Sequence, residues 1–397
     1  MSVEEIYIKK FKDSRDKLKS CSCPTIDSLR DEAMAEFARM GFPSRKVERY
    51  KYFDVAKAFE GEFDFKVSPL EPNRHQAVID SYFGKAADYR NDALTALNTA
   101  LCQDCLCIYV PKNQQMSKPL EINDMLRSET NLQEHKRILI VLEENAQATV
   151  LFHYLSPDKV RFLTTQVVEV FIADGAHLDM YEIEETHTNC VRFSNEYFNV
   201  GRNATLRHNN VSLFNGQTRN TIDVSLMGEY SEVILNGCVM ADKSQKVDNN
   251  TLIDHQVPNC QSHELYKYIV NEQAVGAFAG KVLVRKDAQK TISNEVNQNI
   301  CASDEARMYT QPMLEIYADD VKCSHGSTVG KLDEMALFYM QQRGIPKEEA
   351  RMLLMQAFVG QVIDEIPIRN LRDRLHILVE KRLRGELDKC TGCALCK

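Results

Sequence analysis

Residues 174–183 read Asp-Gly-Ala-His-Leu-Asp-Met-Tyr-Glu-Ile: a polar turn, the small residue Ala176, then a run of strand character from Leu178 to Ile183. The same order returns along the chain. Glu144-Asn145-Ala146-Gln147 precedes a run from Ala148 to His153, Arg202-Asn203-Ala204-Thr205 leads into one ending at Leu213, and Glu229-Tyr230-Ser231-Glu232 precedes Val233 to Met240. The small residues fall at 146, 176, 204 and 231, steps of 30, 28 and 27 residues, and Lys286-Asp287-Ala288-Gln289 places Ala288 a further 57 on, two more periods. Such a period means stacked units, because one turn-and-strand unit cannot bury its apolar face alone. Turn spacing within the repeat also suits a jelly roll or sandwich; the long period favours a parallel β-helix. Further runs at Ile138 to Val141, Gln166 to Ile172 and Ala277 to Val284 are too numerous for a helical bundle.

The flanks have a different texture. Residues 1–105 read as a helical domain: Ile26, Leu29, Ala33, Met34, Phe37 and Met40 recur at spacings of three and four, with Asp27 as the expected cap and Gly41-Phe42-Pro43 as the stop. Ala93, Leu94, Ala96, Leu97 and Ala100 predict a second helix. Residues 106–330 form the β core and residues 331–389 a second helical domain. There Leu332, Met335, Ala336, Phe338 and Tyr339 make one stripe ending at Gly344, and Pro346 opens a helix to about residue 365 with Glu348 and Glu349 in its first turn. Pro367 opens another, with Ile368, Leu371, Leu375, Leu378 and Val379 as its apolar face.

Composition narrows the function. A net charge of −8 and a pI near 5.8 give no basic face for nucleic acid, so DNA and RNA binding are rejected. No run of about 18 apolar residues predicts a membrane span, and Met1 to Lys12 carries alternating charge where a secretory signal needs an apolar stretch. The expected location is cytoplasmic. There, 13 cysteines suggest metal, sulfur handling or redox chemistry and not a disulfide framework.

Two cysteine motifs stand out. Asp319-Asp320-Val321-Lys322-Cys323-Ser324-His325-Gly326 puts a thiol two residues before an imidazole, on one face if the segment is a strand. Together they suit iron, zinc or an iron–sulfur cluster and leave coordination positions open for a partner chain; packing of a small buried thiol is the competing reading. Cys390-Thr391-Gly392-Cys393-Ala394-Leu395-Cys396 supplies three of the four thiolates of a ferredoxin-type site, so residues 390–397 are either a cluster or delivery site or a reactive terminus. Cys102, Cys105 and Cys107 precede an apolar run and read as packing. Cys21-Ser22-Cys23-Pro24 reads as a loop ending a helix. His153, His177, His187, His208, His255 and His263 are scattered through the β region, most of them expected at coil edges or the surface.

The block from Leu314 to Tyr339, with Leu314-Glu315-Ile316, Asp319-Asp320-Val321, Cys323, His325-Gly326, Gly330, Leu332-Asp333 and Phe338-Tyr339, resembles the SufD subunits of the SUF iron–sulfur cluster assembly machinery, members of the SufB/SufD family. Gln342-Arg343-Gly344-Ile345-Pro346 and Gly41-Phe42-Pro43-Ser44-Arg45-Lys46 extend the likeness to both ends. Tyr50 stands where the family usually has Trp. SufB-like chains tend to read Glu-His-Glu where this chain has the Cys323 and His325 segment.

The resemblance implies a right-handed parallel β-helix flanked by helical domains, and a non-catalytic scaffold that works with a SufB-like subunit and a SufC-like ATPase. It implies that residues 332–385 contact that ATPase; simple packing against the end of the β-helix would use the same apolar stripes. It also implies a role for His325, and secondarily Cys323, toward a transient iron–sulfur cluster or iron at the junction with SufB. No Gly-x-x-x-x-Gly-Lys-Ser/Thr or Gly-x-Gly-x-x-Gly sequence is present, so the chain is expected to bind no nucleotide. A thiol-nucleophile pair lacks a visible orienting third group and oxyanion motif, so the chain is read as no enzyme. An electron-transfer or cluster-carrier protein using Cys390, Cys393 and Cys396 is the alternative. A homodimer is possible when the chain is alone.

Overall fold

The protein is a mainly β chain in a computed structural model that describes residues 2–20, 22–67 and 75–386. Its helices are α1 (Val3–Ser20), α2 (Pro24–Met40), α3 (Val55–Ala58), α4 (Gln76–Tyr82), α5 (Ala93–Leu101), α6 (Glu334–Gln342), α7 (Lys347–Asp364) and α8 (Arg369–Leu383). Between α5 and α6 the chain winds as a parallel β-solenoid. Each coil gives one strand to a sheet running from Asp64–Phe65 and Leu106–Val110, both paired with Leu132–Leu142, to Arg307–Ile316, and one to a sheet running from Leu120–Met125 to Lys322–Gly330. The second sheet has eight strands among the described residues.

The repeat seen in the sequence is the register of that second sheet. Gln147, His177, Thr205 and Glu232 are successive Cα partners, each one residue past the small positions 146, 176, 204 and 231. The residue before each small one takes the left-handed conformation: Asn145 (φ 57°), Gly175 (69°), Asn203 (52°) and Tyr230 (62°), continued by Asn259 (63°) and Lys290 (60°). Asn and Gly suit that region best. The N–H groups of Asn145, Gly175 and Asn203 donate to carbonyls of the next coil, Asp174, Arg202 and Glu229, at 2.8–3.0 Å. Ala146, Ala176 and Ala204 then turn inward with no more than 1% exposure, where a larger side chain would strike the next coil.

The expected next repeat at Ala288 is displaced. Residues 285–291 replace the four residues 173–176 in the corresponding turn, and Thr291, following left-handed Lys290, takes the inward position. Ala288 is still buried, in a small apolar cluster with Val282, Val284 and Ala318.

The two sheets enclose a core that includes Ile140, Val170, Leu178, Leu206, Leu235 and Val247; each such side chain, fully buried, contributes about 1.5–3 kcal/mol. Their outer faces are covered by helices. α2 and α5 meet Leu163, Val191 and Phe193 of the first sheet. Buried Glu169 fastens this domain, accepting from the N–H groups of Gly84, Ala86 and Ala87 and pairing with Arg137 at 2.6 Å. Asp27 does not cap α2: Pro24 opens the helix, and Asp27 lies in its first turn, paired with Arg15 at 2.6 Å.

α7 and α8 lie on the flank of the eight-stranded sheet and not at the end of the solenoid. Val359, Val362, Ile363, Leu371, Leu375 and Val379 pack on Tyr181, Ile183, Val211 and Leu213. Arg382 locks the arrangement, donating to the Leu213 carbonyl at 2.7 Å and to Asp242 at 2.8 Å. α6 differs. It has no buried residue, and Met335, Phe338 and Tyr339 are 75%, 56% and 59% exposed. Among the described residues no helix is long and apolar enough to cross a membrane.

Candidate functional site

The solenoid ends at Gly330, and both sheets end with it. Arg307–Ile316 pairs on one side with Val275–Val284, and Lys322–Gly330 on one side with Ile292–Cys301; among the described residues neither has a neighbour on its other side. Most side chains of these two strands are partly or fully exposed. A Thr310–Ser327 hydroxyl contact of 2.7 Å ties the two strands together across the coil. Open strand edges present unpaired N–H and C=O groups, a template for another chain.

Cys323 and His325 sit on the Lys322–Gly330 strand, two residues apart and therefore on one face. Their surroundings differ. Cys323 is half-buried against Val282, Val284 and Ala318, and burial pushes its thiol up, against a weaker opposing pull from a Ser293 backbone hydrogen bond. His325 is exposed. The thiol therefore has part of the packing role that its residue type suggests, whereas the imidazole is free to meet a ligand.

Behind His325 stands a column that the motif reading missed. Glu264 pairs with Glu295, and Glu295 pairs with His325, in consecutive coils. Both carboxyl groups are buried, at 1% and 0% exposure, and that of Glu295 makes no hydrogen bond. Glu295 reaches across the interior to the bare backbone of Gly280, where a Cβ would meet its carboxyl oxygen. Burial raises Glu295 to about 7; burial, then the neighbouring Glu295, pushes Glu264 well above the carboxylate range. The period itself carried the signal, since 264, 295 and 325 are 31 and 30 residues apart.

The column gives the open end a graded chemistry: an imidazole at the rim, a soft thiol beside it, and two proton-holding carboxyl groups beneath. Neutral imidazole and thiolate can take a borderline metal ion, and two ligands leave room for donors from a second chain. Such iron or cluster would be cargo passing through the junction.

The remaining cysteine and histidine readings divide. Cys390, Cys393 and Cys396 lie outside the described residues, as does Cys21. Cys102 and Cys105 are fully buried beside Ile79 and Phe83, as packing requires, with Cys107 against the same cluster. The histidines depart from expectation: His153, His208 and His255 are buried, His177 and His187 are half-buried, and His263 is exposed. The solenoid interior is more polar than strand composition suggested.

Comparison with known proteins agrees with this architecture. Residues 125–358 match the family described as SUF system FeS cluster assembly, SufBD core domain, and residues 1–76 and 72–122 match the SufBD protein N-terminal region. The iron–sulfur cluster assembly protein SufD of Escherichia coli is 28% identical over 388 residues, covering 89% of this chain and 92% of that protein. A SufBD family iron–sulfur cluster assembly protein of Synechocystis sp. is 30% identical over 77% of this chain and 69% of its own length. SufD of Bacillus subtilis is 26% identical over 78% of this chain and 71% of its own.

Proposed function

This chain belongs to the SufB/SufD family of iron–sulfur cluster assembly proteins, and on that premise we propose that it is a SufD-like, non-catalytic scaffold subunit acting in the cytoplasm. The observation that carries the reading is the coincidence, at one end of the solenoid, of two open strand edges with exposed His325 beside Cys323.

The edge strands suit pairing with the matching end of a SufB-like subunit, which would complete the ligand set around transient iron or an iron–sulfur cluster. Alone, the same edges suit a homodimer. The chain itself binds no nucleotide in this reading, and the work comes from a SufC-like ATPase. Its docking surface falls in residues 331–389. Within that segment α7 and α8 spend their apolar faces on the sheet, so the exposed Met335, Phe338 and Tyr339 of α6 are the contact residues. Apolar side chains grouped on one short exposed helix are a natural protein contact.

The test is anaerobic co-expression with a SufB-like chain and a SufC-like ATPase from one organism. A stable complex of all three is expected. Purification of this chain free of both overturns the proposal.

A further inference from the structure

Three ligating side chains meet inside the solenoid, well away from the last coil. Glu182 and His208 come from adjacent strands of the eight-stranded sheet and Glu196 from the sheet opposite. Their ligating atoms lie within 4.8 Å of one another, and each residue is no more than 1% exposed. The two carboxylates are held from outside. Tyr154 donates to Glu182 Oε1 at 2.6 Å, Asn210 to Glu182 Oε2 at 2.9 Å, and Ser194 to Glu196 Oε1 at 2.8 Å. Gln166 in turn donates to Tyr154 at 2.8 Å and to Ser194 at 3.2 Å.

The atoms turned toward the middle are only partly satisfied. His208 Nε2 pairs with Glu196 Oε2 at 3.2 Å and stands 3.9 Å from Glu182 Oε2, while His208 Nδ1 makes no hydrogen bond. Buried polar atoms rarely remain so. Donors about 2.1 Å from one shared ion stand about 3–4 Å apart, and both separations from His208 Nε2 fall in that range. Outer hydrogen bonds that orient each carboxylate are what a metal site needs around its ligands.

We propose that Glu182, Glu196 and His208 form a binding site for a divalent transition-metal ion held inside the solenoid. Two carboxylates and an imidazole, without thiolate, suit Mn²⁺, Fe²⁺ or Zn²⁺. Charge is accounted for as follows. Without metal, the cluster is held by Arg192, whose guanidinium is 3.7 Å from Glu182, and by the His208–Glu196 pair. A divalent ion displaces the proton of that pair to solvent, and a bound water that gives up a second proton closes the balance against Arg192. A cavity of about 610 Å³ at the first coil, lined by Asp124, His135, Lys136, Phe152, Tyr154 and Gln166, adjoins the hydrogen-bonding shell of the cluster. Its inner wall thus includes the two residues bonded to Glu182 and Ser194.

The full chain, stripped with chelator and incubated with Mn²⁺, tests this by the metal retained after gel filtration and by thermal melting. Mn²⁺ is the probe because thiolates hold it poorly, which silences the cysteines. Retention of about one ion per chain at pH 7.5 is expected, falling at pH 5.5 as protons compete with the ion for its ligands, with a rise in melting temperature on loading. Glu196→Gln and His208→Gln should each weaken binding at least tenfold, and Tyr154→Phe, which leaves all three ligands in place, severalfold. Absence of retention and thermal shift in the wild type overturns the proposal, as does equal retention in all three variants. Should the ligand variants fail to fold, Tyr154→Phe decides.

Discussion

Glu295 and His325 are cross-strand partners in the last coil, one fully buried and the other exposed at the rim. A parallel register forces this neighbourhood: the inward column that holds Glu264 and Glu295 must place its next member at position 325. The acidic groups therefore lie directly beneath the side chain assigned to the partner junction.

Glu295→Gln should separate the electrostatics from the packing. The buried carboxyl titrates near 7, above its unfolded value, so the stability it contributes is complete below the ordinary carboxylate range and is lost as pH rises toward 7 and beyond. Glutamine stays neutral throughout. The variant and wild type should melt together near pH 5, and at pH 8 the variant should be more stable by on the order of 2 kcal/mol. Equal melting temperatures at both pH values would show that Glu295 is solvated in the folded chain.

Gly237 is a second sensitive point inside the solenoid. Tyr266, its partner on the next coil, lays its ring where a Cβ at 237 would fall. Gly237→Ala should cost about 1–3 kcal/mol by overpacking, read from the urea midpoint. An unchanged midpoint means that Tyr266 can swing aside.

For the ATPase contact, substitution is a cleaner probe than deletion. Removing residues 332–385 would uncover Tyr181, Ile183, Val211 and Leu213 on the sheet, confounding binding with folding. Met335→Asp with Phe338→Asp changes two exposed positions and should leave stability within about 0.5 kcal/mol. Affinity for a SufC-like ATPase should fall at least tenfold. Full affinity in the double variant would move the contact off α6.

The solenoid was legible where strands carry apolar side chains or a turn carries its small residue. Leu178 to Ile183 and Val233 to Met240 lie within observed strands. Gln217–Leu226, Lys246–His255 and Ile292–Cys301 escaped notice because they fill the interior with amides and hydroxyls. Asn220 donates to Asn249 at 2.8 Å, Asn297 to the Tyr266 carbonyl at 3.2 Å and Asn299 to the Thr328 carbonyl at 2.8 Å. Stacked coils satisfy such groups from the coil above or below, a partner that no linear pattern reveals. At the site, the motif gave Cys323 and His325. Glu264 and Glu295 needed the period to be followed into strands that lacked an apolar signature, and His208 was misjudged for the same reason.

The most direct measurement is the iron and acid-labile sulfide content of the complex with SufB-like and SufC-like proteins, reconstituted anaerobically with wild-type chain, with His325→Ala or with Cys323→Ser. His325 is exposed, so its loss should change the chain's own stability by no more than about 0.5 kcal/mol. The complex should still assemble, with cluster content sharply reduced by His325→Ala and less so by Cys323→Ser. Wild-type iron and sulfide in an intact His325→Ala complex would contradict the assignment and return the rim of the solenoid to a purely structural role.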